Sequence, residues 1–139
     1  MAENDVEAQE YLKALNKRVG GLASSIHELF LTQQCSSYVK TIYVGYDIDG
    51  EMVAALYGHA DHVEVALALD EQHSSELLVD ASHLTWRTLP VSAIVRTAKD
   101  LKELSKLVDE ACDRVRAGKH DVKRDNEYFM KSRRERRGG

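Results

Sequence analysis

Histidines gather around one short segment: His59 and His62 flank Asp61, and His73 follows a few residues later. Two imidazoles and a carboxylate are competent ligands for zinc or another divalent ion. The first two, however, lie across a tight turn rather than four apart on a helix, and no cysteine completes a set. Solvent-exposed turn residues account for the same pattern, so no metal is assigned. Trp86, Arg87 and Arg96 supply the only indole and two of the few cations in the first 112 residues. If the two guanidiniums face one way, with Tyr43 or Tyr46 nearby, they form a small site for phosphate or carboxylate. The competing account is that each arginine neutralises a neighbouring acid. No serine sits in a Gly-x-Ser-x-Gly elbow. Cys35 and Cys112 have neither ligand nor redox spacing and are read as small buried hydrophobes. Gly20-Gly21 precedes no Lys-Ser or Lys-Thr pair, and Asp47 with Asp49 opens a calcium-loop pattern that does not continue. No catalytic residue and no cofactor follows from these spacings.

Charge is split along the chain. From Asp113 onward there are ten Lys or Arg against five acids, a net of +5, whereas residues 1–112 carry nine bases against eighteen acids, a net of −9. The body therefore repels a nucleic-acid backbone except where the tail reaches it. Within that tail Lys131, Arg133, Arg134, Arg136 and Arg137 follow Tyr128 and Phe129. Cations beside stackable rings suit a single-stranded or RNA ligand, and an acidic protein surface satisfies the same cations. A solvated, disordered terminus is the third account of the same residues. There is no apolar run of about 18 residues, and the N-terminus is polar and acidic, so a cytoplasmic protein without a membrane partner is expected.

The elements that must position these residues begin with Tyr38 to Leu69, which reads as three strands. Tyr38–Tyr46 is aromatic and β-branched, Asp47-Ile48-Asp49-Gly50 turns the chain, Glu51–Gly58 is a second run, and His62–Leu69 a third. In the last of these Val63, Val65, Leu67 and Leu69 alternate with His62, Glu64, Ala66 and Ala68, which predicts one buried and one wetter face. Before the strands, Leu12, Leu15, Val19, Leu22, Ile26, Leu29 and Phe30 recur every three or four residues, predicting one continuous or merely bent helix over about residues 6–33. Gly20-Gly21 costs that helix stability or lets another backbone come close. A seam to a second copy is the alternative to sheet cover, which leaves a homodimer open.

After the strands, Asp70–His83 reads as a loop with a helical turn at Glu76–Val79, of the kind that often borders a ligand site. Leu84–Leu89 and Val91–Arg96 read as two more strands parted at Pro90. Thr97 with Asp100 resembles a capping box opening a helix striped by Leu101, Leu104, Leu107, Val108, Ala111, Cys112 and Val115, with Gly118 as its stop. The order predicts a two-layer α+β sandwich over residues 1–118: a mostly antiparallel sheet covered by an N-terminal and a C-terminal helix. Residues 119–139 form a separate basic tail.

Thr41-Ile42-Tyr43-Val44-Gly45-Tyr46, a short turn, a second apolar strand, Val63-Glu64-Val65-Ala66-Leu67-Ala68-Leu69, and a strand running through Thr97 into a helix ending in Glu110-Ala111 together carry a resemblance. Over roughly residues 20–117 this pattern resembles a family of small bacterial domains of unknown function, some labelled predicted transport proteins. It implies a fold similar to the α+β domains of the YdhG and YjbR type. It implies no activity, cofactor or catalytic residue. The expectation is a non-enzymatic binding or adaptor domain whose basic tail meets nucleic acid or an acidic partner. The alternatives are a small-molecule site at Tyr43, Tyr46, Trp86, Arg87 and Arg96, or a structural homodimer.

Overall fold

Strand-forming residues from Ser36 to Leu67 and again from Leu78 to Val95 build one six-stranded antiparallel sheet. The structure, a computed structural model, describes residues 2–84 and 86–118. The basic tail expected from residue 119 lies outside them, and with it Lys131, Arg133, Arg134, Arg136 and Arg137. The strands are β1 (Ser36–Lys40), β2 (Tyr43–Ile48), β3 (Glu51–Gly58), β4 (Val63–Leu67), β5 (Leu78–Asp80) and β6 (Val91–Val95), in the spatial order β1-β2-β3-β4-β6-β5. Helices α1 (Ala2–Lys13), α2 (Lys17–Thr32) and α3 (Asp100–Arg116) complete the described residues. The expected α+β sandwich is the architecture found, with α2 and α3 touching each other and the same central strand β3.

The first helical region is divided at Asn16 rather than at the glycines. Asn16 Oδ1 accepts the Val19 amide at 2.9 Å as an N-cap, while its Nδ2 donates to the Ala60 carbonyl at 2.8 Å. A cap of this kind satisfies an orphan amide, so two helices replace the single one predicted. The apolar phase passes across the break unchanged, which is why periodicity alone misses it. Gly20 then lies where α2 meets α1, since a Cβ there would stand 3.2 Å from the Leu12 carbonyl. The seam proposed for a second copy is spent on this chain's own core: Val19, Leu22, Ala23, Ile26, His27 and Phe30 are all buried.

Three other elements differ from the sequence reading. Tyr38–Tyr46 is not one strand but the β1–β2 hairpin, turning at Thr41-Ile42 with Lys40 opposite Tyr43. The Tyr11 hydroxyl donates to the Ile42 carbonyl at 2.9 Å, so α1 pins a turn whose own residues prefer strand. Leu84–Leu89 is not a strand: Ser82–Leu84 is a 3-10 turn, and the residues from Trp86 to Leu89 are irregular. Glu76–Val79 contains no helical turn, because Leu78–Asp80 adds to the edge of β6 as β5. Downstream the predicted helix is found, with Leu104, Leu107, Val108, Ala111, Cys112 and Val115 of its stripe buried and Gly118 following it at φ +77°. The expected capping box is only half formed: the Asp100 carboxylate accepts the amides of Arg96 and Thr97, but the N-cap is Lys99, which makes no side-chain cap bond, and the Asp100 amide bonds the Thr97 carbonyl.

β4 is buried on both faces, contrary to the wetter face expected of Glu64 and Ala66. One face of the sheet carries Val44, Tyr46, Leu56, Val65 and Ala93 towards the helices, with Tyr46 stacked on Phe30 at 4.2 Å between centroids. Across the other face, strand register aligns Lys40, Tyr43, Tyr57, Glu64 and Ile94. The β4–β6 connection brings His83 and Trp86 onto that row.

Candidate binding site at Trp86

Tyr43 and Tyr57 meet on the second face because residues on adjacent antiparallel strands share a row, their ring centroids 5.4 Å apart. Trp86 arrives from the β4–β6 connection, sets its ring edge-to-face with Tyr43 at 5.5 Å, and donates its indole N–H to the Tyr57 hydroxyl at 2.9 Å. A half-buried indole is thereby held by one hydrogen bond and one ring contact, each preferred by aromatic electrostatics. Tyr38 lies edge-on to Tyr43 at 6.4 Å, its ring across Gly45, where any Cβ would collide with it. The Lys40 ammonium stands 6.0 Å above the Tyr38 ring, at the outer reach of a cation–π contact.

Next in the row, the buried Glu64 carboxylate takes His83 Nε2 at 2.7 Å on one oxygen and His59 Nε2 at 3.5 Å on the other. A carboxylate buried to 5% exposure requires such donors, and each imidazole retains its second nitrogen for solvent or ligand.

Trp86 also lines a cleft of about 430 Å³, together with Glu71, Gln72, His73, Leu78, Val79, Asp80, Ala81, Ser82, Pro90 and Val91. The volume lies within the range of small-ligand sites. Among the described residues its charged lining consists of the acids Glu71 and Asp80. Asp80 accepts the Ser82 amide at 2.6 Å, and that bond holds its carboxyl below the usual carboxylate range. His73 Nδ1 accepts the Ser75 amide, so its Nε2 carries the proton and donates to Glu110 at 2.8 Å.

Each resolved shift on the aromatic face is upward. Burial, then the Asp47 charge and the neighbouring Tyr43, pushes Tyr38 to about 12. Burial raises Tyr57 against the opposing Trp86 hydrogen bond, and burial with the Glu51 charge raises Asp47. Burial, the largest cause in each case, disfavours the charged form.

Of the anion-site residues expected from sequence, Trp86 and Tyr43 are brought together. Tyr46 is not with them, since three residues along a strand reverses the face; it is fully buried with its hydroxyl 2.8 Å from His27 Nδ1. Arg96 sits at the β3–β4 end of the sheet, its carbonyl accepting from Arg18; the Asp61 pKa there is lowered chiefly by the hydrogen bond with His62, with the Arg96 charge a minor cause. Arg87 is exposed beside Trp86. His59 and His62 stack at 4.5 Å and His62 meets Asp61, but His73 is bound to Glu110, and among the described residues no group of three or more His, Cys, Asp or Glu is placed to hold a metal. Sequence reasoning missed Tyr38, Tyr57, Glu64, Asp80 and His83. A lone acid amid Val63-Glu64-Val65-Ala66-Leu67 was the available signal, because an apolar strand buries a charge only beside partners. Among the described residues no helix is long and apolar enough to cross a membrane. The chain matches no family model, no curated protein and no solved structure.

Proposed function

We propose that the folded body is a small-molecule binding module whose ligand is an organic cation, seated in the cleft against Trp86. The observation that carries this reading is the cleft itself: about 430 Å³, lined in part by a clamped indole, with Glu71 and Asp80 as its charged lining among the described residues. An indole face attracts cations through its ring quadrupole, by up to about 2 kcal/mol once desolvated. Clamping the ring in advance removes ordering cost from binding. Asp80→Asn keeps an acceptor for the Ser82 amide while removing the charge. It is expected to weaken choline binding about tenfold, the equivalent of roughly 1.4 kcal/mol, in calorimetric titration. Equal affinity in the variant contradicts the reading.

The charge split favours a second role for a different part of the chain. We infer that the basic residues Lys131 to Arg137 engage nucleic acid or an acidic protein surface, since residues 1–112 at −9 repel a polyanion that the stretch from Asp113 onward, at +5, attracts.

A further inference from the structure

Cys35 and Cys112 stand 77 residues apart in sequence with their sulfurs 3.9 Å apart in the core. α2 closes with Gln34 in the left-handed region at φ 67° and the Cys35 amide bonded back to the Phe30 carbonyl, a helix-ending motif that turns Cys35 inward. α3 presents Cys112 from its buried stripe. Arg116, one turn further on, donates to both the side chain and the carbonyl of Gln33, and Gln33 donates to Asp109. These polar contacts hold the two elements together at the level of the sulfurs.

We propose that Cys35 and Cys112 form a dithiol oxidation site, converted by peroxide to an intramolecular disulfide that ties α3 to the end of α2. The proposal is independent of the cleft at Trp86. Closing the sulfurs to a bond of about 2.05 Å requires an approach of about 1.9 Å between groups already in contact. The two thiols are unequal. Cys35 is 7% exposed, and its pKa is lowered by the hydrogen bond from Cys112 and by the Arg116 charge. Cys112 is fully buried, and its pKa is raised by that same bond and by burial. The thiolate is the nucleophile, so Cys35, the less buried residue, is the attacking group. Cys35 attacks one peroxide oxygen; an S–O bond forms, the O–O bond breaks, and the departing hydroxide leaves as water on protonation. Cys112 then attacks the sulfenic sulfur, forming the S–S bond as the S–O bond breaks, and its thiol proton leaves with the hydroxide as a second water. Two thiols are oxidised and one peroxide is reduced.

The test treats the full chain with hydrogen peroxide, alkylates the remaining thiols with iodoacetamide, and reads the intact mass. The expected product has lost two hydrogens, carries no alkyl group, stays monomeric on a non-reducing gel, and reverts with dithiothreitol. Its Tm is expected to rise by roughly 10 °C, because the closed loop is long. Cys35→Ser and Cys112→Ser each assign the product by failing to give it. Two alkylatable thiols after treatment, addition of oxygens to one cysteine, or a cross-link between chains overturns the proposal, and the unsubstituted chain alone decides among these.

Discussion

Tyr38 keeps its proton to about pH 12 because its ring lies across Gly45, half-buried beside the Asp47 charge. An unfolded tyrosine releases its proton near 10.0, so between that value and about 12 the folded chain binds one more proton than the unfolded chain. The contribution is complete below pH 10 and is lost as pH rises through about 12. Tyr38→Phe preserves the ring over Gly45 and removes the ionisation. Urea denaturation across this alkaline window is expected to show a shallower fall in stability for the variant. Parallel curves for variant and parent contradict the assignment. The same scale explains which site residues were legible. Trp86 and Tyr43 drew attention by type, whereas Glu64 and His83 acquire meaning only through a 2.7 Å contact across 19 residues. Cys35 and Cys112 were correctly read as buried, but their proximity is a property of the fold and not of their spacing.

The elements were most legible where local chemistry and tertiary contact agree. β3 occupies the predicted Glu51–Gly58, β4 falls within His62–Leu69, and the α3 stripe is buried as its spacing requires. They were least legible where a distant contact overrides propensity. Thr41-Ile42 turns because Tyr11 holds it, and Trp86 leaves strand geometry to reach Tyr57. Asn16 is the intermediate case, a capping residue in plain view whose effect was hidden by an unbroken apolar phase. Asn16→Ala removes both the cap on Val19 and the link to the Ala60 carbonyl. It is expected to destabilise the chain by about 1 kcal/mol or somewhat more, seen as a lower urea midpoint at constant m. An unchanged midpoint means that α1 and α2 do not depend on this cap.

At the scale of the whole molecule, the two proposed roles separate by charge. The tail reading predicts that affinity for a single-stranded oligonucleotide falls steeply with salt and is lost on deleting residues 131–137, as counterion release requires. Unchanged affinity after the deletion sinks that reading and leaves the cleft untouched. For the body, Trp86 is the only tryptophan, so its emission reports on the cleft that it lines. The most direct measurement is therefore an emission titration of the full chain with choline, its uncharged carbon isostere dimethylbutanol, and benzoate. A saturable change with choline, weaker with the isostere and absent with benzoate, is the predicted result. A response to benzoate alone, or equal responses to choline and its isostere, contradicts a cation site.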